Sequence, residues 1–503
     1  MNLMRLSGIW VAMALAMVAA TAECEPVQRL LAPSLVGSSV YSVRDLTPEI
    51  SPSVGKVTSV TVAEQLRDAI SARYVRDGYI RPIITIPAAD LTSATPRLYI
   101  YEARIVDVVI RGDAGPYRHR ITSVLLQLRG HALRKESLRQ ALQQLDGLPG
   151  ITTRAIFEPQ PGMPNEFVVF VDSRYQAVSG EVDVNNAGTS QLGNVLFSGS
   201  LFLNDLLGAG EQIQLRAASS SLSDHYQFED GRIQTAVAGS DVYLEAGHSV
   251  AVPDPNVHFA DQNATLGLGR PLGQLGAGVL GAILWVHADD DEIHNAALVH
   301  LVDDGIRSAA LGFTYTEPKS PTPLSWYATV VQGTGSLGAH TLDPLGSEVQ
   351  IAFTKYLMGI AQSVLLAPGW VLRFNADAQA TPQVLPIVER FAFGGLGLGE
   401  AFDPASLVGD SGVATGLELG HALPIHLAAL ESATVFAKAD YGAAWSNASY
   451  LPSEDQAASF SLGMLGKWRH ALISMELSTP LRQPTYAPPA GSIRVLASGA
   501  FTF

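Results

Sequence analysis

The sequence predicts a transmembrane β-barrel of about 16 antiparallel strands, preceded by two small α/β modules. Three observations lead to this fold class. First, the chain has 503 residues of which 16% are charged and 47% hydrophobic, whereas a soluble domain typically carries about 25% charge. Second, a pattern of helices and strands occurs twice between residues 40 and 171. Third, the chain from residue 179 onward alternates apolar with small or polar residues in segments of about ten residues, as barrel strands do.

The first 22 residues have the pattern of an export signal. A single positive charge, Arg5, precedes a long apolar run that closes with small residues at positions 20 and 22. This pattern is typical of a signal peptide and its cleavage site, so we expect residues 1–22 to be removed and 23–39 to form a short N-terminal segment. Cys24 fits a lipid-anchor site poorly, because Glu23 stands where a small residue is needed.

The first α/β module is predicted to span residues 40–104. Apolar residues at helical spacing predict a helix over Val62–Tyr74, with charged residues on its opposite face. Gly78 ends this helix. Strands are predicted at Ile80–Ile86, which is rich in β-branched residues, and at Arg97–Tyr101.

The second α/β module, residues 105–173, repeats this order of elements. Its predicted elements are a strand, two helices and two further strands, at Ile105–Arg111, Arg120–Leu128, Lys135–Leu145, Ile151–Glu158 and Glu166–Val171. The repeat predicts two modules of similar architecture.

The barrel is predicted to span residues 174–503. About 20 residues per strand and turn give an even number of strands near 16. The chain ends on an alternating strand, in which Val495, Phe501 and Phe503 share one face. A terminal strand of this kind needs a partner strand, which a closed barrel provides. A secreted all-β adhesin or hydrolase shares most of these features and stays open as an alternative.

Charge and cysteine content exclude several functions. The formal net charge of −15 argues against a nucleic-acid binder, which needs a basic surface. The single cysteine excludes a disulfide framework and a multi-cysteine metal site. We predict no catalytic residues, no cofactor and no metal, and hence no enzyme.

Two motifs imitate functional sites. The string Gly409-Asp-Ser-Gly412 copies the nucleophile motif of trypsin-like proteases, but a Gly-rich turn between strands explains it better. The acidic run Asp289-Asp-Asp-Glu292, with His294 after it, could hold a divalent cation. Because it lacks the spacing of a calcium-binding loop, we expect a solvated turn there.

A series of motifs, in the right order along the chain, resembles the outer-membrane transporters of two-partner secretion. These are the haemolysin/haemagglutinin secretion-activation proteins, in which periplasmic POTRA modules precede a barrel. The motifs that carry the resemblance are Tyr74-Val-Arg-Asp-Gly-Tyr-Ile80, Ile86-Pro-Ala-Ala-Asp-Leu91, Leu98-Tyr-Ile-Tyr-Glu-Ala103, Leu145-Asp-Gly-Leu-Pro-Gly-Ile151, Asn185-Asn-Ala-Gly188, Leu203-Asn-Asp-Leu-Leu-Gly-Ala-Gly210, Glu389-Arg-Phe-Ala-Phe-Gly-Gly395 and Leu407-Val-Gly-Asp-Ser-Gly412.

The resemblance implies a pore in the outer membrane that exports one large partner protein. The POTRA modules would capture the unfolded partner in the periplasm by adding its chain to an exposed sheet edge. The candidate edge is Ile83, Ile84, Thr85 and Ile86. Expected contacts also include outer-membrane lipid and, through Phe501 and Phe503, the barrel-assembly machinery; no nucleic acid is expected. A barrel-assembly or translocation factor of the same superfamily is the related alternative.

The chain departs from the family at the loop that folds into the barrel. The family's loop carries an arginine that pairs with the aspartate of a Phe-x-Asp motif on a strand. Here Glu400 takes the arginine position two residues before Phe402, and the strand motif reads Lys438-Ala-Asp440. Residues 438 and 440 share a strand face, so we hypothesise a reversed lock between Glu400 and Lys438. The alternative is an unlocked loop with Glu400 in water.

The N-terminal region is also shorter than the family pattern. Some members carry a plug helix and a long linker before the first module, and residues 23–39 are too few for both. The segment from Arg44 to Thr61 is rich in serine and proline. We therefore expect the leading helix of the first module to be missing or reduced.

Overall fold

The computed structural model describes residues 28–503, apart from residues 92, 223, 296–299, 319, 343–347, 425–429, 450, 486–490 and 492. The predicted signal peptide, Glu23 and Cys24 lie outside the described residues. The chain forms two compact units, one ending at Tyr175 and the other running from Gln176 to Phe503.

The first module packs helices against a three-stranded sheet. Strands β1 (Ser34–Val36), β2 (Ile83–Thr85) and β3 (Arg97–Tyr101) form the sheet in the order β1-β3-β2. Helix α1 (Thr47–Ile50) has one turn, whereas α2 (Val60–Arg76) is long and buries Leu66, Ile70 and Tyr74 against the sheet. A missing or reduced leading helix is expected here, and α1 has a single turn: Pro48 lies in its first turn, where proline is tolerated, and Pro52 lacks the backbone N–H that would continue the helix.

The first module begins earlier than residue 40, its predicted boundary. Strand β1 pairs in parallel with β3, and Leu30 is a buried member of the same core. Residues 30–36 therefore belong to this module and not to a separate N-terminal segment. The prediction missed β1 because three residues are too few to show a strand period.

The second module repeats the plan with a separate sheet and core. Strands β4 (Arg104–Asp113), β5 (Ile151–Pro159) and β6 (Glu166–Tyr175) lie in the order β4-β6-β5, with β4 and β6 parallel. Helices α3 (Arg118–Leu126) and α4 (Lys135–Asp146) cover it. Alternate apolar residues of the helices and strands fill one core that includes Ile105, Ile121, Leu125, Leu145 and Val169.

A buried carboxylate, Glu102, joins the two modules. Its side chain accepts hydrogen bonds from the backbone N–H of Ser39 at 2.9 Å and from the Tyr74 hydroxyl at 2.8 Å in the first module. It also accepts one from Arg104, the first residue of β4, at 2.8 Å. Burial raises the pKa of Glu102, but the hydrogen bonds from Ser39, Arg104 and Tyr74 outweigh it and leave that pKa below its usual value.

The second unit is a closed antiparallel barrel. Within the described residues sixteen strands close it, and a further short strand, His340–Leu342, pairs with the strand His300–Thr316. The barrel strands are β7 (Val178–Asn185), β8 (Leu196–Asn204), β9 (Glu211–Ser220), β10 (Tyr226–Val237), β11 (Ser240–Asp254), β12 (Val257–Leu275), β13 (Gly278–Asn295), β14 (His300–Thr316), β15 (Leu324–Gly333), β16 (His340–Leu342), β17 (Thr354–Ala367), β18 (Trp370–Ala380), β21 (Ser411–Leu423), β22 (Leu430–Trp445), β23 (Glu454–Trp468), β24 (Ala471–Arg482) and β25 (Arg494–Thr502).

The wall of the barrel alternates between two environments. In β13, Leu284 and Val286 are about half exposed on the outer face, as lipid-facing residues are. Asp289 and Asp291, at odd positions of the same strand, are buried on the inner face. The last strand closes the barrel against the first, with Phe501 opposite Val182. Among the described residues, no helix is both long and apolar enough to cross a bilayer.

Candidate functional site

The candidate site is the segment between β18 and β21, residues 381–410. It contains one turn of 3₁₀ helix (Ile387–Glu389) and a small hairpin of β19 (Phe391–Phe393) and β20 (Leu407–Gly409). We call this segment the inner loop, because its apolar residues pack against the inner face of β21 to β23. Gly394, Gly395, Gly397 and Gly399 have φ between +86° and +116°, a backbone conformation that glycine adopts without strain.

Glycines in the barrel wall make room for the aromatic residues of the inner loop. A Cβ atom at Gly412 would lie 2.0 Å from the ring of Phe391, and one at Gly442 would lie 2.5 Å from the ring of Phe393. The ring of Phe393 lies 6.3 Å from that of Phe402, and both side chains are almost wholly buried. The inner loop and the barrel wall are therefore complementary in shape.

The tip of the inner loop carries an ion pair with the wall. The Nζ of Lys438 on β22 contacts a carboxylate oxygen of Glu400 and donates to the carbonyl oxygen of Gly397 at 2.5 Å. Asp440 lies 3.5 Å from the same Nζ and accepts a hydrogen bond from the backbone N–H of Gly399 at 3.2 Å. The structure thus brings together Glu400, Lys438 and Asp440, and all three are more than nine-tenths buried.

The tip is held from a second direction by the last strand. Arg494 on β25 donates to the backbone carbonyl of Phe402 and lies 3.2 Å from Asp403. The same guanidinium reaches the carbonyls of Ala187 and Gly188, in the segment after β7. Arg494 therefore links the tip to β25 and to the segment after β7, the two strands at which the barrel closes.

The base of the inner loop is held by a second set of buried charges. Lys355 on β17 pairs with the carboxylate of Glu389, and its Nζ also donates to the Glu389 carbonyl at 3.0 Å. Asp410 is fully buried and accepts backbone N–H donors from Leu385 at 2.8 Å and Asn447 at 2.7 Å. Its carboxylate also lies 3.6 Å from Arg390.

Sequence reasoning missed most of these anchoring residues. Three of them, Lys355, Arg494 and Asn447, are far from the inner loop in sequence. Their contacts with the loop could therefore be predicted only from the strand register. Glu389, Arg390 and Asp410 lie in the motifs quoted above, and a charge within an otherwise apolar or Gly-rich string was the available signal.

The remaining predicted residues lie elsewhere. Within the described residues, β2 is an edge of its sheet, with Ile83 and Thr85 exposed and Ile84 buried; Ile86 follows the strand. Phe503 exchanges backbone hydrogen bonds with Gly180 of β7, at 3.0 and 3.1 Å, and its ring covers that glycine.

For one of the two motifs that imitate functional sites, the prediction was wrong. In Gly409-Asp-Ser-Gly412, Gly409 ends β20 and Ser411 begins β21, so Asp410 alone lies between the strands; the serine exchanges hydrogen bonds with the backbone of Thr381. In contrast, the run Asp289–Glu292 is not a solvated turn, because it lies within β13. The acidic residues predicted a turn exposed to bulk water. The inner wall of a barrel is also polar, however, so acidic residues can lie within its strands.

The barrel and its inner loop are similar to known proteins. Residues 282–466 match the family model described as haemolysin secretion/activation protein ShlB/FhaC/HecB. The outer membrane transporter CdiB of Dickeya dadantii (strain 3937) is 25% identical over 187 residues, which cover 37% of this chain and 32% of the relative. The matched part thus spans about a third of the length of that curated relative.

Similarity of fold extends over nearly the whole chain. The solved structure of CdiB from Escherichia coli has a TM-score of 0.75 at 18% identity and covers 96% of this chain and 92% of that one. For CdiB from Acinetobacter baumannii the TM-score is 0.65 at 15% identity, with 95% and 90% covered. The predicted 16-stranded antiparallel barrel, its outer-membrane location and the resemblance to two-partner secretion transporters are confirmed.

Proposed function

We propose that this chain is the outer-membrane pore of a two-partner secretion system. It binds a large unfolded partner protein in the periplasm through two POTRA modules and passes it through the barrel to the cell surface. The observation that carries the proposal is the inner loop, held inside a closed barrel in the region that matches the secretion-activation family model. The chain itself would catalyse no reaction.

The first module supports this function through its free strand edge. Strand β2 pairs on one side with β3, so its other side offers backbone N–H and C=O groups to an incoming strand. The exposed side chains of Ile83 and Thr85 would give apolar and polar contacts to a bound segment. An unfolded partner suits such a site, because its backbone is unpaired.

The ion pair at the tip supports a locking role for the inner loop. A partner protein can cross the lumen only if the loop moves, and movement must separate Glu400 from Lys438. Their attraction is stronger inside the barrel wall than in water, since both charges are largely desolvated. Outer-membrane lipid surrounds the wall, and the terminal strand with Phe501 and Phe503 would guide assembly by the barrel-assembly machinery.

A charge reversal tests the lock and the transport function together. The chain is expressed with its secreted partner, and the partner in the medium is measured for Glu400→Lys, Lys438→Glu and the double variant. Each single variant places two like charges in contact, so we expect secretion to fall at least tenfold, and the double variant to restore it.

The matched control is the exposed pair Glu431 and Lys467, whose charged atoms lie 3.4 Å apart on β22 and β23. Reversing either charge there is expected to leave secretion unchanged. A double variant at 400 and 438 that secretes no better than the single ones contradicts the lock. Wild-type protein that leaves all the partner in the periplasm contradicts the proposed function.

A further inference from the structure

The barrel wall carries a second charged site, away from the inner-loop tip, that the transport function does not explain. Asp291 on β13 lies directly opposite Asp261 on β12 and opposite Asp304 on β14. Asp289, two residues before Asp291, shares its inner face. Like charges that face each other across strands destabilise a sheet, so this row needs compensation.

The protein groups nearby compensate only part of this charge. Asp290, between the two inner aspartates, pairs with Arg307 on the outer face at 2.9 Å. On the inner face, His287 Nε2 lies 3.7 Å from Asp289 and Asn263 donates to Asp261 at 2.8 Å.

Two carboxylate oxygens in this cluster are buried and unpaired. Asp289 is 8% exposed and Asp291 is 7% exposed. Within the part of the chain that the structure describes, Asp289 Oδ1 and Asp291 Oδ2 have no hydrogen-bond partner. A buried carboxylate oxygen without a donor is costly, and a bound cation removes this cost.

We infer that Asp261, Asp289 and Asp291 bind a calcium ion on the inner wall. One carboxylate oxygen from each lies within 4.8 Å of the others. Calcium binds oxygen at about 2.4 Å, so two ligands of one ion lie at most about 4.8 Å apart. Magnesium binds at about 2.1 Å and needs a tighter, octahedral set. Three carboxylates are a hard, anionic ligand set that suits calcium, with water completing the shell.

The site would join neighbouring strands of the wall. Asp261 lies on β12 and the other two ligands on β13, so one ion bridges both strands and removes the repulsion between them. Leu385 of the inner loop packs on the same wall, in a cluster with Ile306 and Trp285. Calcium would therefore stiffen the surface on which the base of the inner loop rests.

Calcium binding by the purified full-length protein in detergent tests this inference. After treatment with EDTA, calcium chloride is titrated by calorimetry and thermal unfolding is followed in parallel. We expect saturable binding near 0.1–1 mM, the range of extracellular calcium sites, and an unfolding temperature that rises with calcium and much less with magnesium. The double variant Asp289→Asn/Asp291→Asn should lose both responses.

A control variant removes two carboxylates outside the cluster, Glu229→Gln/Asp241→Asn, and should keep both responses. If the double variant does not assemble, the single Asp261→Asn variant on β12 should weaken calcium binding at least tenfold. Wild-type protein that binds no calcium, or whose calcium response survives in Asp261→Asn and in the double variant, overturns the inference. Neither readout depends on secretion, so the result stands apart from the proposed function.

Discussion

The inner loop is anchored at its base and at its tip by buried charges, and the two anchors differ in how completely they are satisfied. At the base, Asp410 accepts two backbone N–H groups and lies near Arg390, while Lys355 binds both the carboxylate and the carbonyl of Glu389. At the tip, Glu400 Oε2 and Asp440 Oδ1 are buried without a hydrogen-bond partner among the described residues.

The difference indicates which end of the loop can move. A buried charge with all its partners is strongly destabilised when one partner is lost. A buried carboxylate with one oxygen that accepts no hydrogen bond gains from contact with water, and this gain offsets part of the cost of breaking its ion pair. We infer that the base would stay in place while the tip moves, so the Glu400–Lys438 contact would be the one to break in the proposed transport.

The largest effect is expected from the base. Asp410→Ala leaves two backbone N–H groups without their acceptor and the largely buried Arg390 without its neighbouring carboxylate, so we expect it to lower the free energy of unfolding by about 3–5 kcal/mol. Denaturant unfolding of the barrel in detergent measures this. Asp403→Asn is the control, since Asp403 is half exposed, and should cost less than about 1 kcal/mol. Equal losses in both variants contradict the special role of the base.

A smaller effect is expected where the loop meets the wall between its two anchors. Gly442→Ala places a Cβ where the Phe393 ring lies, and overpacking of this kind costs about 1–3 kcal/mol. Gly269→Ala, also in a barrel strand, is the control because its Cβ meets nothing within 4 Å. Unfolding in denaturant should separate the two variants. An unchanged Gly442→Ala barrel shows that the loop does not rest on this wall.

The smallest effect on stability is expected at the tip. Replacing the pair by neutral residues, Glu400→Gln/Lys438→Met, removes both the attraction and the cost of burying it, so the change should stay within about 1 kcal/mol. Pore conductance in planar bilayers should nevertheless rise, because the tip loses its ion pair with β22 and keeps weaker contacts such as those with Arg494. A large loss of stability with unchanged conductance would place the permanent anchor at the tip instead.

Periodicity in the sequence was enough to predict the barrel, and motif position with strand alternation was enough to pair Glu400 with Lys438. Both rest on local rules, since residues 438 and 440 share a face whatever the register. The base could not be found in this way. Lys355 and Glu389 are brought together by the pairing of β17 with its neighbours and by the path of the loop, and register is not encoded locally.

The acidic run, residues 289–292, was placed wrongly from the sequence for a different reason. Asp289 to Glu292 is polar enough to suggest a turn, and the composition rule behind that expectation holds for soluble proteins. In a barrel, water fills the inside and lipid surrounds the outside, so polar residues belong in the strands as well. The distinction between turn and inner wall depends on the closed fold, which no short segment reveals.

Glu102 gives the pair of α/β modules a mechanical property. Hydrogen bonds from Ser39, Tyr74 and Arg104 converge on one buried carboxylate where the first module passes into the second. Rotation about this junction would pull Arg104, in the second module, away from the carboxylate that the first module holds in place, so the joint resists torque. If the first module binds a strand of the partner as proposed, a pull on that strand would be transmitted to the second module with little loss through rotation.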